Sequence, residues 1–466
     1  MYKKIIKFIP GLFPEEIRAI QKHLPDGEFF LVGGLVRDSV LTVLEKKSDM
    51  VESLSGNDWD IATSIHPECI ILPNFKVIPT GIEHGTVTVV RGNFKAEITT
   101  YRFDMECDGR HAKIAYANTI EEDLSRRDFT INAMAVNLKT HELVDYFGGC
   151  EDILSKTIRT VGDSDTRFRE DGLRLMRGAR FAAHINGKPD RNCEEAMRRN
   201  ASLIDGISAE RIQSEIMKIM ETENPGVAIG ILRNTGILKR ILPELDSCFG
   251  IKQNQWHSDD VGVHSVLAME EVSSKHPLLR FTALLHDIGK PGKKQYLEDR
   301  KDYVFYDHQN LGAELAEKIF RRLKFSNEQT EFAVNIIKEH MFAVNEDMGK
   351  KPVRRMLQKL GSGNLRDLIR LRIADRAGNR NKPRTLEPGL YRYIRMIKEI
   401  ERDRDALNVS DLVINGDDLK KKGLNPGPIF KEIFDYLVDL VIDDPARNNR
   451  EFLINEIDKF LNKIEK

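Results

Sequence analysis

Hydrophobic and polar positions divide the chain into two parts of different character. Up to about residue 150, short apolar or β-branched runs such as Phe29–Val32, Thr86–Val90 and Ala96–Tyr101 alternate with a helical pattern over Val36–Leu44, which is typical of mixed strand and helix structure. Further on, apolar residues recur three and four positions apart among Arg, Lys and Glu, as in RLMRGARFAA and RIQSEIMKIM. This spacing predicts amphipathic helices, and we expect everything downstream to be helical.

Turn-forming residues predict where the helical part is interrupted. Breaks are expected at Glu223–Gly226, Phe249–Asn254, Leu297–Asp302 and Asn379–Pro388. The sequence contains no internal repeat and no low-complexity tract.

Composition and charge narrow the class of protein. The 466 residues are 41% hydrophobic and 31% charged, which excludes a disordered or fibrous chain and suits about two to four domains. The 72 Lys and Arg nearly cancel the 73 Asp and Glu, so a nucleic acid would need a local basic face.

The N-terminus does not resemble a signal peptide, and no window approaches the roughly 18 uncharged apolar residues of a membrane span. The five cysteines lie far apart without a CxxC pair, which predicts a reducing, cytoplasmic location and no membrane partner.

A strand followed by two glycines is the first candidate for chemistry. The apolar run Phe29–Val32 leads into Gly33-Gly34 and then into the helical pattern from Val36. This order brings backbone N–H groups and a helix N-terminus up to a phosphate group. A purely structural turn is the alternative that two glycines alone leave open.

Two aspartates further on form a candidate metal site. Asp58 and Asp60 are two positions apart in an extended segment, so both carboxylates point to the same face and suit Mg²⁺. An Asx-rich turn before a strand would use the same residues. The combination with the two glycines favours a site in which one element holds a triphosphate and the other holds the bridging metal. Glu97 is a candidate third carboxylate, unless it faces solvent.

With further motifs, these residues resemble the class II tRNA nucleotidyltransferases (CCA-adding enzymes) and the similar bacterial poly(A) polymerases. The motifs occur in the family's order over about the first 215 residues. The matching text is Gly33-Gly34-Leu35-Val36-Arg37-Asp38, Asp58-Trp59-Asp60-Ile61-Ala62-Thr63, His84-Gly85-Thr86-Val87, Arg126-Arg127-Asp128-Phe129-Thr130-Ile131-Asn132-Ala133, Asp145 with Phe147-Gly148-Gly149 and Asp152, and Arg167-Phe168-Arg169-Glu170-Asp171-Gly172-Leu173-Arg174.

The resemblance implies an α+β protein with a polymerase-β-like nucleotidyltransferase head followed by an all-α neck, body and tail. We expect the head at 1–150, a neck with base recognition and RNA binding at 151–250, an HD-type helical domain at 251–380 and a tRNA-binding tail at 381–466. The chain departs from the family in a long polar run at Glu45–Asn57, which we interpret as a surface loop. The segment Asp108–Ile114 lacks a proline that is common in the family's flexible loop, which is thought to help the switch from C to A addition.

Asp171 and Arg174 have the spacing of a base-reading pair. Three apart on a helix, they present an acceptor and a fork of donors on one face. Cytosine and adenine each offer an amino donor beside a ring-nitrogen acceptor, whereas uracil and guanine have the opposite polarity. The alternative is an ordinary surface ion pair.

Other contacts to the nucleotide are implied by the resemblance. Asp128 and Asn132 would meet the ribose, and Arg127 the phosphates, beside Gly33, Gly34 and Arg37. Arg177 and Arg180 continue the face of Arg174 and hold either the triphosphate or the helix packing.

A set of histidines and aspartates predicts a second metal site. The side chains of metal-ligand type are His264, His286, Asp287, His308, His340 and Asp375. We expect the His286-Asp287 pair inside the apolar helix LRFTALLHDIGKP, with the other ligands supplied by further helices. The set resembles HD phosphohydrolases, which hold one or two divalent metals and cleave phosphoesters. For Lys290, both phosphate binding and helix termination remain open.

The strongest basic stretch lies near the middle of the helical part. From Gly349 to Arg384 there are twelve Lys or Arg against Asp367 and Asp375, a face suited to RNA phosphates. A solvated helix face is the alternative.

The sequence therefore predicts a Mg²⁺-dependent enzyme that adds C, C and A to tRNA 3′ ends from CTP and ATP. Two alternatives remain: a poly(A) polymerase or a partial A-adding or CC-adding enzyme, and an HD phosphohydrolase with an RNA-binding head. The predicted partners are tRNA, ATP and CTP, with a further divalent metal in the HD domain. The sequence does not determine the oligomeric state.

Overall fold

The computed structural model describes residues 7–8, 13–23, 27–46, 50–51, 59–107 and 112–464. The chain divides into two compact units. Unit 1 contains residues up to Ser247 together with Arg322–Lys324, and unit 2 contains Cys248–Arg321 and the residues from Phe325 onward. Of the predicted features, Asp58, most of Glu45–Asn57 and the first part of Asp108–Ile114 lie outside the described residues.

Unit 1 contains most of the strands. They are β1 (Lys7–Phe8), β2 (Phe29–Val32), β3 (Met50–Val51), β4 (Trp59–Thr63), β5 (Lys76–Gly81), β6 (Thr86–Arg91), β7 (Phe94–Thr100), β8 (Arg102–Cys107), β9 (Ala112–Tyr116), β10 (Met134–Asn137), β11 (Leu143–Asp145), β12 (Thr157–Ile158) and β13 (Lys188–Pro189). Seven of them form one sheet in the order β11-β10-β2-β4-β7-β6-β5. Only the β4–β7 pair in this sheet is parallel.

The helices of unit 1 pack beside this sheet or follow it. They are α1 (Glu15–His23), α2 (Gly34–Glu45), α3 (Ile120–Ser125), α4 (Gly149–Leu154), α5 (Ser164–Glu170), α6 (Arg174–Ile185), α7 (Arg191–Arg199), α8 (Ala209–Met220), α9 (Pro225–Asn234), α10 (Leu238–Ile241) and α11 (Pro243–Asp246). Helix α6 is the centre of the helical part, because Phe181 and six further apolar residues of this helix are at most 4% exposed.

Unit 2 is built mainly of helices. They are α12 (Val261–Glu270), α13 (Pro277–Leu285), α14 (Lys290–Lys293), α15 (His308–Arg322), α16 (Asn327–Glu339), α17 (Lys350–Gly378), α18 (Pro388–Asp403), α19 (Gly416–Lys421), α20 (Pro428–Asp443) and α21 (Arg450–Ile464). One apolar core joins α13, α16, α17 and α18, and a second joins α19, α20 and α21. Among the helices that the structure describes, none is long and apolar enough to cross a bilayer.

The α+β fold with a sheet-containing head and a helical HD region is confirmed. The expectation of helices alone after residue 150 is wrong in two places. Strands β12 and β13 pair in unit 1, and unit 2 contains a hairpin of β14 (Gln295–Leu297) and β15 (Asp302–Val304). The rings of Tyr296 and Tyr303 lie directly across this hairpin, 5.2 Å apart, and such aromatic cross-strand pairs stabilise short antiparallel strands.

Candidate functional site

The two glycines and Asp60 meet at one end of the central strands of unit 1. Asp60 of β4 pairs with Val32, the last residue of β2, so the turn at Gly33 lies directly beside it. Gly33 has a φ of +83°, and a Cβ on this residue would lie 2.8 Å from Oδ2 of Asp60. Only glycine adopts this positive φ without strain and also leaves room for the Asp60 carboxylate. Asp60 thereby lies beside the start of α2, where the first backbone N–H groups lack intrahelical acceptors and suit an anion.

A cavity of about 580 Å³ opens at this point. Its lining carries seven arginines against three aspartates, which suits a ligand with several negative charges accompanied by a cation. The lining residues are Gly33, Gly34, Arg37, Asp60, Arg126, Arg127, Asp128, Asn132, Asp171, Leu173, Arg174, Arg177, Arg180, Phe181 and Arg211. All the nucleotide-binding residues predicted from the sequence are among them, and so is Asp60.

Buried hydrogen bonds fix the polar side chains along one wall of the cavity. Arg37 donates from Nη1 to Oδ1 of Asn132 at 2.9 Å, and Asn132 donates from Nδ2 to Oδ1 of Asp128 at 3.1 Å. Arg177 donates from Nε to the other oxygen of Asp128 at 2.7 Å. These contacts connect α2, the segment before β10, and α6, so the positions of the groups are set before any ligand binds.

Two carboxyl groups near this wall are held in their charged form. Burial alone would raise the pKa of Asp128, but the charge of Arg177 and the hydrogen bonds from Asn132, Arg177 and the Phe129 amide outweigh it and lower that pKa. Burial likewise opposes ionisation of Asp38, yet the hydrogen bond from His184 and the charge of Arg37 keep its pKa below the ordinary value. The wall is therefore a fixed set of charges at neutral pH.

Phe181 of α6 lies among three arginines of the cavity. The guanidinium carbons of Arg37, Arg177 and Arg180 lie 5.1, 5.4 and 4.2 Å from its ring centroid. Contacts between cations and an aromatic face are favourable, so the ring allows three like charges to converge. Arg180 is also held by the buried Glu215 at 2.7 Å.

The base-reading pair differs from its expected form. Asp171 and Arg174 do not share one helix, because α5 ends at Glu170, the backbone of Asp171 is extended with a φ of −154°, and α6 begins at Arg174. The carbonyl of Asp171 accepts from the Arg174 amide at 3.0 Å, so a turn replaces the helix and both residues still line the cavity. The carboxylate of Asp171 is held by Arg211 at 2.8 Å, and the guanidinium of Arg174 is paired with Glu170.

Arg127 and Glu97, which were also predicted, make weaker or more exposed contacts than the residues above. Arg127 donates weakly from Nη1 to the Asn132 carbonyl at 3.4 Å and lies 3.5 Å from Asp123. Glu97 is the partner of Asp60 across the parallel β4–β7 pair, so both side chains are on the same face of the sheet. The Glu97 carboxylate is 45% exposed and lies 3.3 Å from Nζ of Lys95.

The predicted histidine set comes together in unit 2 as two groups of three. One contains His264, His286 and Asp375, and the other contains Asp287, His308 and His340, with the potential ligand atoms of each group within 4.8 Å of one another. Asp287 lies between them, because its Oδ2 is 3.2 Å from Nε2 of His286 and its Oδ1 is 3.3 Å from Nε2 of His308.

Backbone contacts orient the imidazoles toward this cluster. The Nδ1 atoms of His286, His308 and His340 each donate to a backbone carbonyl three residues earlier, at 2.7 Å in all three cases. This leaves Nε2 as the ligand atom, as in many metal sites. Nε2 of His286 is buried and, among the described residues, makes no hydrogen bond of good geometry. The donor set fits one or two divalent cations.

The His286-Asp287 pair is not inside a helix as expected. Helix α13 ends at Leu285, and the pair follows it in a turn that leads to α14. A Cβ on Gly289 in this turn would lie 2.1 Å from the carbonyl of His308. The close approach brings the start of α15, and with it the His308 ligand, against Asp287.

The basic stretch from Gly349 to Arg384, most of which lies on α17, is largely neutralised. Eleven of its twelve cations lie within 4 Å of a carboxylate of unit 2. Most partners are distant in sequence, such as Asp443 for Lys351 and Glu271 for Arg384. The positive charge that the sequence concentrates in this stretch is therefore mostly compensated by carboxylates, and the cationic surface left for RNA is smaller than the sequence suggests.

Sequence reasoning missed Phe181 and Arg211 as parts of the site. Phe181 lies seven residues after Arg174 and four after Arg177, so the helical period of α6 carried a signal for it. Arg211 comes from α8, and its contact with Asp171 depends on tertiary packing for which there is no local signal.

Three known protein families match successive parts of the chain. Residues 29–159 match the family described as "Poly A polymerase head domain", and residues 188–249 match "Probable RNA and SrmB- binding site of polymerase A". Residues 257–379 match "HD domain". The cavity lies on the first two matches and the segment between them, and the histidine cluster lies on the third.

Individual relatives agree with these matches. A CCA-adding enzyme of Limosilactobacillus reuteri (strain DSM 20016) is 34% identical over 274 residues, which are 57% of this chain and 65% of that relative, just under two thirds of its length. A CCA-adding enzyme of Pediococcus pentosaceus is 28% identical over 451 residues, covering 96% of this chain and 98% of that relative. The solved structure of the Bacillus stearothermophilus CCA-adding enzyme in complex with CTP aligns with a TM-score of 0.67 and 25% identity over 98% of this chain and 97% of that one.

Proposed function

We propose that this chain, which belongs to the family of CCA-adding enzymes and poly(A) polymerases with an HD domain, adds C, C and A to the 3′ end of tRNA from CTP and ATP. The observation that carries this proposal is the convergence of the glycine turn, Asp60, Asp171 and Arg174 on one cavity. The CTP in the Bacillus enzyme supports the choice of substrate.

The triphosphate is assigned to the arginine-rich wall. Arg37, Arg177 and Arg180 present fixed guanidinium groups, which suit phosphate oxygens, and the start of α2 adds backbone donors at Gly33 and Gly34. Asp60, with Asp58 as predicted from the sequence, would hold Mg²⁺. When bound, this metal neutralises phosphate charge and makes an attacking hydroxyl a better nucleophile. Asp128 and Asn132 remain the proposed partners of the ribose.

Base selection is assigned to Asp171 and Arg174. The amino group of cytosine or adenine donates to the Asp171 carboxylate, and Arg174 donates to the neighbouring ring nitrogen. Uracil and guanine would leave these groups unpaired, at about 1–3 kcal/mol for each unsatisfied group. Arg211 and Glu170 hold the pair in place, so the two side chains act as a fixed template edge.

Each round of the reaction forms one bond and breaks one bond. The 3′-oxygen of the RNA passes its proton to solvent water and bonds to the α-phosphorus, while the bond from that phosphorus to the pyrophosphate oxygen breaks. The chain contributes positioning and charge compensation, and no covalent enzyme intermediate is required.

A nucleotide-by-nucleotide extension assay tests this function. Purified protein is incubated with a tRNA that lacks CCA, with CTP alone, ATP alone and both together. We expect two C residues with CTP alone and a single A after them when ATP is added. Long A tails from ATP alone would instead identify a poly(A) polymerase. An arrest after CC when both nucleotides are present, or a requirement for preformed CC, would identify a partial enzyme.

A second candidate activity is supported by the histidine cluster. Two groups of three ligands that meet at Asp287 fit a divalent-metal site for phosphoester hydrolysis. We propose that unit 2 removes a phosphate or opens a cyclic phosphate on an RNA end. Cyclic phosphate hydrolysis without nucleotide incorporation would favour this activity over the first.

We propose the cytoplasm as the site of action. Cys69, Cys150 and Cys193 are thiols outside any disulfide, as is usual for proteins of a reducing compartment, and the named relatives are bacterial enzymes.

A further inference from the structure

The carboxylate of Asp38 joins the start of α2 to the last turn of α6. Its Oδ1 accepts from Nε of Arg37 at 2.8 Å and lies 2.8 Å from Nε2 of His184, a residue 146 positions further along the chain. Burial opposes the charge of Asp38, but the hydrogen bond from His184 and the charge of Arg37 keep its pKa below the ordinary value. Because a charged carboxylate only accepts hydrogen bonds, His184 is the donor, from Nε2.

Arg37 is the residue that this contact orients. Its guanidinium donates from Nε to Asp38 and from Nη1 to Oδ1 of Asn132 at 2.9 Å, and only 10% of the side chain is exposed. The third nitrogen, Nη2, faces the glycine turn, since a Cβ on Gly34 would lie 3.4 Å from it. Two fixed donors therefore direct the remaining one toward the place where the start of α2 offers backbone N–H groups.

The contact between Arg37 and Asp38 needs support from outside α2. Consecutive residues of a helix point about 100° apart and do not face each other, so the Asp38 side chain has to turn toward its neighbour. With 32% of that side chain exposed, water competes for the carboxylate. His184 supplies the external partner that holds the carboxylate in this orientation.

His184 acts from a rigid backbone. It lies seven residues after Arg177 and three after Phe181, so these three side chains share one face of α6. The adjacent Ala183 is fully buried, which anchors this turn in the core. The helix that carries part of the arginine wall therefore also sets the position of Arg37 on a different helix.

We propose that His184 is a positioning residue for the incoming nucleoside triphosphate, acting through Asp38 on Arg37. This inference rests on the function proposed above and deepens it. Neither Asp38 nor His184 is among the described residues that line the cavity, so neither is expected to touch the nucleotide. Their part is to keep Nη2 of Arg37 in place before the triphosphate arrives, which lowers the cost of ordering this side chain on binding.

The first test is the binding of inorganic tripolyphosphate, measured by calorimetry with Mg²⁺ and without RNA. We expect His184→Leu to weaken this binding about tenfold, as is typical when a hydrogen bond to a charged group is lost. His184→Gln should restore most of the affinity, because its side-chain amide can donate from a position near that of Nε2. Tripolyphosphate that binds His184→Leu as tightly as wild type, or that binds neither protein, would overturn the proposal.

Thr42→Val is the matched control on α2. Oγ1 of Thr42 donates to the backbone carbonyl of Asp38 at 2.9 Å, so this variant removes a hydrogen bond to the same residue and leaves its carboxylate alone. We expect it to bind tripolyphosphate as wild type does. An equal loss of affinity in Thr42→Val and His184→Leu would show that any disturbance of α2 weakens binding, and the positioning role would fail.

The second test separates positioning from a structural role by means of Arg37→Ala. If His184 acts through Arg37, replacing His184 by Leu in the Arg37→Ala background changes tripolyphosphate binding no further. A further loss of the same size in that background would overturn the proposal, because His184 would then act by another route. Urea unfolding checks the fold of each variant. Asp38→Asn, which keeps the shape of the side chain and removes its charge, is the second variant and should weaken binding by a similar factor.

The third test is CTP incorporation into tRNA that lacks CCA. We expect His184→Leu to raise the KM for CTP about tenfold, with little change in kcat and none in the KM for tRNA. A lower kcat at an unchanged KM for CTP would contradict a role in positioning the triphosphate. If wild type incorporates no nucleotide while His184→Leu weakens tripolyphosphate binding, the proposed function fails and the positioning role stands.

Discussion

At the scale of single residues, Gly33 shows how one position joins backbone conformation to chemistry. Its left-handed φ permits the turn into α2, and its missing side chain leaves room for the Asp60 carboxylate. The sequence predicted that the glycine turn and the aspartates serve one triphosphate and its metal. Their contact required the antiparallel pairing of Val32 with Asp60, which is a tertiary fact that no spacing along the chain encodes.

Gly33→Ala is expected to lower nucleotide incorporation about a hundredfold, because a misplaced reacting group of this kind costs about that much. Gly92→Ala is the matched control. Gly92 also has a positive φ, of +58°, but a Cβ there would have nothing within 4 Å. Both variants should lose about 1–2 kcal/mol of stability from the left-handed backbone, as measured by urea unfolding. Equal incorporation by the two variants would contradict the role of the contact with Asp60.

Asp128 predicts a pH dependence of stability. Its pKa is lowered in the folded protein, chiefly by Arg177 acting against burial. The stabilisation is therefore fully present above the ordinary carboxyl pKa, and it is lost as the pH falls through the lower folded-state value. Asp128→Asn should reduce the free energy of unfolding by about 1–3 kcal/mol at pH 7. Urea titrations from pH 7 to pH 3 should show this difference shrinking at acid pH; a difference that stays constant would count against the ion pair.

At the scale of elements, periodicity predicted the strands and helices whose burial is regular. The run Phe29–Val32 is β2, and the pattern Val36–Leu44 lies within α2. Several local exceptions escaped it, of which two are informative. The helix expected through Asp171 is broken before Arg174, because the Asp171 carboxylate is engaged by the Leu173 amide in the turn. The hairpin β14–β15 is too short to show an alternating pattern.

Helix α17 offers a test of which cations in the basic stretch support the fold. Arg354 is 8% exposed, pairs with Asp405 at 2.6 Å and donates to the Ile442 carbonyl at 3.1 Å. Arg354→Ala should destabilise unit 2 by about 1–3 kcal/mol, since it leaves these buried acceptors unsatisfied. The control is Arg370→Ala, on the same helix, where the 48% exposed side chain pairs with Asp367. An exposed pair contributes about 0–1 kcal/mol. Thermal unfolding in which both variants shift equally would contradict the distinction.

At the scale of the whole molecule, charge was the least predictable property. The stretch from Gly349 to Arg384 is strongly basic in sequence, yet most of its partners are carboxylates distant along the chain, such as Asp405 and Asp443. Which cations remain free for RNA follows from tertiary packing alone. The nucleotide site was more predictable because each motif carries its own chemistry; the structure added the single cavity that they share.

The most direct test of that shared cavity is CTP incorporation by Asp60→Asn into tRNA lacking CCA, with CTP binding measured on the same protein. Loss of one charge-stabilising group should lower kcat by about a hundredfold to a thousandfold, while the arginine wall keeps CTP bound within a few-fold of wild type. Incorporation at the wild-type rate would contradict the account, since Asp60 would then have no part in the reaction at this cavity.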